Sequence, residues 1–290
     1  MTVDLSVLVL PAFDDLPGVP GEATPWYEAY NPTETIDIAG VDDPLRYTTD
    51  GLGVVPTGIG KTAAATTTTA LLMSDRLDLS DTLIMTVGVA GGPPSLSIGS
   101  VVVGSAVLDW DDKCRFAGPD SDDVPLARNP YTEGEGVFRM SDETVQAATD
   151  AAAGVELDRV GSSPSGASLP SDIPDSPVVT TGTNVCGDEL WHGEELAEQV
   201  EWLVSNADGA GQLEPYRATE MEDAGTARAL SRFGAIERYV TIRGISNYDR
   251  PLNDENPRTN FFSDTFESGF TVGLTNAVRV ARRLVDSQVT

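Results

Sequence analysis

The chain has 290 residues, which is enough for one large domain or two small ones with a full hydrophobic core. It carries 46 acidic against 18 basic residues, a formal net charge of −28, so nucleic acid and anionic membrane surfaces would be repelled. The acidic residues are spread along the whole chain, which predicts a cytoplasmic protein adapted to a high-salt cytosol. With 2 cysteines and 1 histidine, the sequence offers neither a disulfide framework nor a zinc site, and we expect no metal.

The first half of the chain alternates apolar runs with glycine- and proline-rich turns. Four of these runs have the length and β-branched composition of buried strands. They are residues 5–10, 52–56, 82–89 and 98–108. Residues 82–108 carry no charged side chain, but the Gly-Gly-Pro-Pro-Ser break at 91–95 divides them, so we predict two strands and no membrane span. A glycine turn at 57–60 leads into the Ala- and Thr-rich segment 61–73, which we predict to be a helix on the sheet.

The remaining segments complete an alternation of strands and helices. We predict strands at 178–181 and 236–245, and helices at 141–153, 194–205, 224–233 and 264–286, the first capped by Ser141. Polar, turn-rich segments at 11–32, 109–140, 161–177 and 250–263 are predicted to be loops, with 109–140 and 161–177 as surface excursions. This alternation predicts a single α/β domain over residues 1–290, with a mixed, largely parallel central sheet flanked by helices.

The stretch from 218 to 230 is the most informative about function. Met221 and Glu222 fall where an extended segment turns into a helix, and the small residues Ala224, Gly225 and Ala227 follow. Small residues let a helix start pack closely against a sheet or a ligand. A carboxylate at that point can accept two hydrogen bonds from a vicinal diol such as a ribose. The alternative is an acidic turn that only complements the helix dipole.

Four glycine-bearing segments follow predicted strands, at 57–60, 88–92, 181–183 and 244–249. Ligands of α/β sheets bind outside the carboxyl ends of the strands, so we expect these segments to line one crevice with the Met-Glu turn. The turn at 57–60 lacks the Gly-Lys-Ser/Thr ending of a phosphate-binding P-loop. Its backbone amides could still bind an anion.

Taken together, the motifs resemble those of the nucleoside phosphorylase/nucleosidase superfamily and, within it, the purine nucleoside permease family. The segments that carry the resemblance are Gly58-Ile59-Gly60-Lys61, Val87-Gly88-Val89-Ala90-Gly91-Gly92, Thr181 to Asp188, Trp191-His192, Met221-Glu222-Asp223, and Arg243 to Asp249. The resemblance implies a nucleoside phosphorylase-like fold, a purine nucleoside as ligand, and a homo-oligomer, since oligomers are usual in the superfamily.

The resemblance also implies roles for single residues. Glu222 would bind the 2′ and 3′ hydroxyls of the ribose, and Met221 would pack under the sugar. Asn247 stands where hexameric phosphorylases and nucleosidases have an aspartate, so its amide can donate a hydrogen bond to a purine but cannot deliver a proton. Asp249 is the candidate acid if it is buried, with a turn-capping aspartate as the alternative.

Other candidates would line the base and the 5′ side of the nucleoside. Trp191 and Tyr248 are candidates for stacking on the base. Gly91 is a further candidate for the substrate pocket. His192 could reach the 5′ hydroxyl, although a structural pair with the tryptophan at a helix start is the alternative.

The attacking group decides between two reactions. A phosphorylase needs several donors on phosphate, and the candidates are the amides of Gly60 and Gly92 with Arg46 or Arg243. A hydrolase needs a carboxylate that positions water, and Glu22 is the candidate for that role. We expect phosphorolysis to free base and ribose 1-phosphate, with inorganic phosphate as co-substrate and no other cofactor. Hydrolysis is one alternative, and a nucleoside-binding component of an uptake system is another.

Overall fold

The computed structural model describes residues 2–15, 19–116, 126–132, 135–160, 173–207, 212–253, 255–262 and 265–289. The strands are β1 (Val3–Asp4), β2 (Val7–Leu10), β3 (Glu34–Ile36), β4 (Leu45–Tyr47), β5 (Leu52–Val54), β6 (Leu77–Asp78), β7 (Leu83–Gly92), β8 (Val101–Asp109), β9 (Lys113–Arg115), β10 (Leu126–Arg128), β11 (Val137–Arg139), β12 (Val179–Cys186), β13 (Tyr216–Glu220) and β14 (Tyr239–Tyr248). The helices are α1 (Thr24–Tyr30), α2 (Lys61–Met73), α3 (Asp142–Ala151), α4 (Glu194–Ser205), α5 (Asp223–Arg232), α6 (Pro257–Phe261) and α7 (Thr265–Val285), with a 3₁₀ turn at Ile236–Arg238.

Several elements agree with the sequence prediction. Helices α2 and α4 begin and end at the predicted residues. Ser141 caps α3, since its hydroxyl oxygen accepts a hydrogen bond from the amide of Thr144 at 3.1 Å. The extended segment before Met221 is β13, and the helix after it is α5. Most of the predicted excursion at 161–177 lies outside the described residues.

Three predicted loops were wrong in part, and one of them, 109–140, contains the short strands β9, β10 and β11. The segment 11–32 contains α1, a seven-residue helix with a proline in its first turn and the fully buried Trp26 on its inner side. The segment 250–263 contains the short helix α6, which Asn256 caps. Both helices are too short to show a hydrophobic period in the sequence, and neighbouring elements hold them in place.

The central sheet was predicted to be largely parallel, and this was wrong. Among the described strands of this sheet, five pairings are parallel: β2 with β5 and β7, β12 with β8 and β13, and β14 with β7. Five are antiparallel: β4 with β3 and β5, β8 with β11 and β14, and β13 with β7. The short strands β3 and β4 form an antiparallel edge that the sequence pattern did not predict.

The pairings of the long strands β7 and β8 close part of the sheet into a barrel. Strand β7 pairs with β2 along its first half and with β13 at Gly91, while β14 runs along its other side. Strand β8 pairs with β12 on one side, and with β14 and then β11 on the other. Strands β7, β14, β8, β12 and β13 therefore form a closed ring, whose rim carries the site described below.

Alternating side chains of the strands divide the core into two layers. Along β2, Val7 and Val9 face a cluster that includes α7, while Leu8 and Leu10 face one that includes α2 and α5. Within the part of the chain that the structure covers, no helix combines the length and the apolar character that crossing a membrane requires.

Candidate functional site

The loop after β2 and the turn before α2 meet at the rim of the sheet. The amides of Thr57 and Gly58 donate to the carbonyl oxygens of Pro11 and Ala12, both at 2.9 Å. Gly60 then adopts a φ of 91°, a left-handed conformation that favours glycine. Its amide donates to Oε1 of Glu222 at 3.0 Å. This bond joins the start of α2 to the Met-Glu turn. The two segments were predicted to line the same crevice, and this contact agrees with that prediction.

Small residues bring α5 this close to α2. A side chain at position 225 would overlap the backbone carbonyl of Lys61, so only glycine permits the contact. Ala224 and Ala227 are fully buried on the same helix. The close approach of the two helix starts fixes the position of Glu222, the residue immediately before α5.

Glu222 is buried, and only 6% of its surface is exposed. Its Oε2 lies 3.8 Å from Nη1 of Arg243, an ion-pair distance without a hydrogen bond. Burial raises the pKa of Glu222 to about 7, although the charge of Arg243 and the amide of Gly60 lower it. The carboxylate therefore has one oxygen held by the backbone and one oxygen directed at a guanidinium.

Glu22 forms a second anchored carboxylate. Its Oε2 accepts from the amide of Ala12 at 2.9 Å, and its Oε1 accepts from the amide of Val89 at 2.8 Å. A side chain at position 88 would overlap the Glu22 carboxylate, so glycine there lets it lie against β7. Burial raises the pKa of Glu22, while the charge of Arg243 lowers it. The structure thus brings Glu22, Glu222 and Arg243 into one charged group.

Arg243 lies in the middle of β14 and is the cation of this group. Its Nη2 contacts Oδ1 of Asp223 and lies 3.0 Å from Oε2 of Glu220, and its Nε donates to Oδ2 of Asp223 at 3.2 Å. We call the set of Glu22, Glu220, Glu222, Asp223 and Arg243 the Arg243 cluster. All five residues are less than 9% exposed.

Glu220 and Asp223 belong to the cluster but were not predicted as site residues from the sequence. Glu220 accepts hydrogen bonds from the amides of Glu222 and Asp223, at 2.7 and 2.9 Å, and so satisfies the start of α5. Asn184 bridges the two missed acids, with Nδ2 at 3.1 Å from Glu220 Oε1 and at 2.6 Å from Asp223 Oδ2. The signal that could have found them is a polar residue inside each apolar strand, Asn184 on β12 and Arg243 on β14.

Asn247 lies opposite Gly91 where β14 runs beside β7. Its Oδ1 accepts from the hydroxyl of Ser246 at 2.8 Å, and one Nδ2 proton goes to the carbonyl of Tyr248 at 2.9 Å. A side chain at position 91 would lie 3.3 Å from Nδ2 of Asn247, so the glycine keeps the space beside the amide open. The amide is held in one orientation, and among the described residues its second N–H has no hydrogen-bond partner.

Asp249 is buried but engaged in another cluster. Arg250 donates to it through Nε at 2.7 Å, and also reaches Glu194 at 3.1 Å and Glu201 at 2.7 Å. We call these four residues the Arg250 cluster. Burial raises the pKa of Asp249, and the bond from Arg250 lowers it. This arrangement makes the acid a structural partner of Arg250, and its role as a proton donor stays a prediction.

The two stacking candidates and His192 lie in three different parts of the structure. Trp191 packs against Trp110 at a ring distance of 6.3 Å, in a hydrophobic cluster with α4. Tyr248 ends β14 opposite Gly92 and is 9% exposed. His192 shares a hydrogen bond of 3.0 Å between Nε2 and Oδ1 of Asn260, and burial lowers its pKa.

The remaining candidates are Met221, Gly92 and Arg46, and each has its own surroundings. Met221 is half-buried and stands in the sequence between Glu220 and Glu222, two residues of the Arg243 cluster. Gly92 accepts from the amide of Asp249 at 2.9 Å through its carbonyl oxygen. Arg46 lies on β4, between β5 and the edge strand β3, with its guanidinium 4.3 Å from the ring centre of Tyr27. The described residues contain no group of histidine, cysteine and acidic side chains arranged to hold a metal ion.

The arrangement has the parts needed to bind a polar, uncharged ligand. Acceptor oxygens of Glu222 and Glu22 suit hydroxyl groups, and Nη1 of Arg243 and Nδ2 of Asn247 supply donors. The cluster holds four acidic side chains and one guanidinium, so it offers a ligand more acceptors than donors.

Comparison with known proteins agrees with the fold. A nucleosidase for 5′-methylthioadenosine and S-adenosylhomocysteine from Neisseria meningitidis, solved with methylthio-immucillin-A, superposes with a TM-score of 0.65 at 17% identity, over 98% of this chain and 100% of that one. Futalosine hydrolase of Helicobacter pylori superposes with a TM-score of 0.63 at 18% identity, over 99% of this chain and 98% of that one.

Sequence comparison identifies the family. A probable purine nucleoside permease of Schizosaccharomyces pombe is 25% identical over 243 residues, which cover 72% of this chain and 68% of the relative. The family described as purine nucleoside permease (NUP) matches residues 4–290. This chain therefore belongs to the purine nucleoside permease family.

Proposed function

We propose that the protein cleaves the N-glycosidic bond of purine nucleosides and that water is the attacking group. The observation that carries this proposal is a pair of buried carboxylates, Glu222 and Glu22, each anchored by backbone amides beside the single guanidinium of Arg243. The names of the similar folds, nucleosidase and hydrolase, support the same reaction class.

The sugar would bind at Glu222. Breaking a glycosidic bond builds positive charge on the ribose, and an ionised carboxylate beside the ring stabilises that charge. Glu222 Oε2 has no hydrogen bond within the described structure, so it can accept one from a ribose hydroxyl. The gap of 3.8 Å to Arg243 Nη1 suits a hydroxyl that donates to the carboxylate and accepts from the guanidinium.

Charge and hydrogen bonding favour water over phosphate. Glu22 occupies the amides of Ala12 and Val89, and Glu222 occupies the amide of Gly60. Two like unit charges 4 Å apart repel by about 4 kcal/mol near a protein surface, whereas one hydrogen bond to a charged group contributes about 1.5–3 kcal/mol. A phosphate dianion would meet this repulsion at each of the two carboxyl groups when that group is ionised. The sequence analysis expected phosphorolysis with the Gly60 amide as one phosphate donor, and that amide is occupied by Glu222.

The reaction then balances without a further co-reactant. The bond from C1′ to the purine nitrogen breaks, and its electron pair leaves with the base. The oxygen of water forms the new bond to C1′ while its proton passes to the Glu22 carboxylate. The free N–H of Asn247 donates to the departing purine, which takes its own proton from solvent.

The experiment that tests the reaction is product analysis. Inosine, guanosine and adenosine are incubated with the protein in water enriched in oxygen-18, with and without inorganic phosphate. We expect free base and ribose carrying one oxygen-18 atom at C1, at the same rate in both conditions. Ribose 1-phosphate formed only with phosphate would show phosphorolysis instead and would remove Glu22 from its proposed role.

A matched pair of variants connects the reaction to Glu22. Glu22→Gln removes the proton acceptor, and its amide cannot accept both backbone N–H bonds, so we expect a loss of kcat of about 100-fold. Glu194→Gln, on the exposed side of the Arg250 cluster, is the control and should retain full activity. Equal activity of both variants would contradict the assignment of Glu22.

The family description supports a second candidate, a binding component that delivers nucleosides to an uptake system without chemistry. Calorimetric titration with inosine followed by chromatography of the mixture separates the two. Tight binding with the nucleoside intact after a long incubation would favour the binding component.

A further inference from the structure

The orientation of Arg243 is fixed by an acid that stands next to Glu222 in the sequence. Asp223 takes Nε at 3.2 Å with one oxygen and contacts Nη2 with the other, a two-point contact that sets the plane of the guanidinium. Nη2 also lies 3.0 Å from Glu220. Among the described residues, Nη1 has only the ion pair of 3.8 Å with Glu222.

Asp223 is itself immobilised. Its side chain is fully buried, and its Oδ2 accepts from Nδ2 of Asn184 at 2.6 Å and from the hydroxyl of Thr241. Its backbone amide is held by Glu220 at 2.9 Å. Contacts from β12 and β14 therefore converge on one carboxylate at the start of α5, while β13 holds the backbone amide of the same residue.

We propose that Asp223 is a positioning residue, which holds Arg243 so that Nη1 faces Glu222 and the sugar hydroxyl bound between them. This inference rests on the proposed function, because it assigns the hydroxyl to a ribose. Asp223 does not touch the substrate. It acts through Arg243, and its place directly after Glu222 ties the carboxylate and the guanidinium to one rigid turn.

The charge of Asp223 has a second consequence for the same site. The ionisable groups that share this interior are Glu22, Glu220, Glu222, Arg243, Tyr239 and Cys186. The charge of Asp223 raises the pKa of Glu22, Glu220 and Glu222. Asp223 also pairs with Arg243, whose positive charge lowers the pKa of the same three groups. Removing the charge of Asp223 therefore lowers the pKa of Glu222 by both routes.

The test is the pH profile of Asp223→Asn, which keeps the size of the side chain and removes its charge. We expect kcat on the high-pH plateau to fall about 100-fold, as displaced catalytic groups typically cause, with KM changed less than about threefold. The acid limb of kcat/KM, which follows ionisation of Glu222 and of the proton acceptor Glu22, should move to lower pH, because Asp223 raises the pKa of both. A merely structural role would lower stability and leave that limb in place, which would overturn the proposal.

Asp223→Glu is the second variant, in case the asparagine does not fold. It retains the charge but changes the reach, so we expect a similar loss of kcat with an acid limb close to that of the wild-type protein. Wild-type kcat in this variant would show that the geometry of Asp223 is not needed.

A readout that does not use activity separates this inference from the proposed function. Titration of glutamate carboxyl groups by carbon-13 NMR follows Glu222, assigned by its absence from Glu222→Gln. We expect its midpoint to fall in Asp223→Asn even if the wild-type protein cleaves no nucleoside, which would remove the proposed function alone. An unchanged midpoint would remove the role of Asp223 whatever the activity.

Discussion

The Arg243 cluster and the Arg250 cluster have the same composition around their arginines and opposite access to water. Each guanidinium meets three carboxylates among the described residues. The side chains that meet Arg243 are 3%, 8% and 0% exposed, whereas those that meet Arg250 are 64%, 50% and 0% exposed. The excess negative charge of the Arg250 cluster is hydrated, and that of the Arg243 cluster is not.

This difference supports the proposal that the Arg243 cluster binds the substrate and that the Arg250 cluster is a structural contact. Burying charged groups costs several kcal/mol for each ion, which mutual attraction repays only when every group is well bonded. The Arg243 cluster retains a carboxylate oxygen and a guanidinium nitrogen without hydrogen bonds to each other. In the proposed reaction, a ligand hydroxyl that bonds to both would lower this cost.

The largest expected effect comes from removing the arginines themselves. Arg243→Met leaves carboxylates buried without their cation, so we expect the free energy of unfolding to fall by about 3–5 kcal/mol. Arg250→Met leaves only Asp249 buried, and we expect a loss of about 1–3 kcal/mol. Urea denaturation followed by tryptophan fluorescence measures both. Equal losses would contradict the distinction between the clusters.

The next effect is on catalysis. Glu222→Gln removes the charge that stabilises the developing cation, so we expect kcat/KM for purine nucleosides to fall at least about 100-fold, or about 2.7 kcal/mol. Glu201→Gln in the Arg250 cluster is the matched control, and its kcat/KM should equal that of the wild-type protein. Steady-state kinetics on one nucleoside compares them, and near-normal activity of Glu222→Gln would exclude Glu222 from the reaction.

Much of this architecture could be predicted from the sequence. Hydrophobic runs and glycines located β2, β7, β8 and the ends of α2 and α4, since burial and turn geometry act over short distances along the chain. The contact between Gly60 and Glu222 followed from the expectation that glycine-bearing strand ends share one crevice. The family resemblance is confirmed.

The remainder depended on contacts between distant segments. The sequence gives no period for the short strands β3 and β4, which have three residues each and owe their form to pairing. Nor could it assign partners to the acids, so Asp249 was a candidate proton donor although Arg250 binds it, and Asp223 was not a candidate at all. The fold decides which of the many carboxylates pairs with each arginine, and the sequence alone does not contain that information.

The pH dependence of stability is a smaller effect that also distinguishes the clusters. Burial raises the pKa of Glu220 to about 8 and that of Glu222 to about 7, so the folded protein holds protons that the unfolded chain releases above its ordinary value near 4.5. Their contribution is fully present below that value and is lost as pH rises through 7 to 8, by up to about 1.4 kcal/mol per pH unit for each proton.

Denaturant unfolding between pH 5 and 8.5 measures this slope. Glu220→Gln should flatten it, because the neutral amide replaces a group that must otherwise lose its proton in a buried position. Glu201→Gln, whose carboxylate is half exposed, should leave the slope unchanged. If the two variants give the same slope, the Arg243 cluster is not the source of the pH dependence.

The smallest effect concerns salt and the ion pair between Arg250 and Glu201. Because Glu201 is half exposed, a double-mutant cycle at 0.1 M salt should give a coupling free energy below about 1 kcal/mol. The Debye length falls from about 10 Å to about 3 Å between 0.1 and 1 M, so this coupling should approach zero at the higher salt. Over the same range the wild-type protein should become more stable, since its charge of −28 repels itself less. The loss caused by Arg243→Met should stay constant, because solvent ions cannot enter a cluster whose members are buried, and a salt-dependent loss would mean that water reaches the cluster.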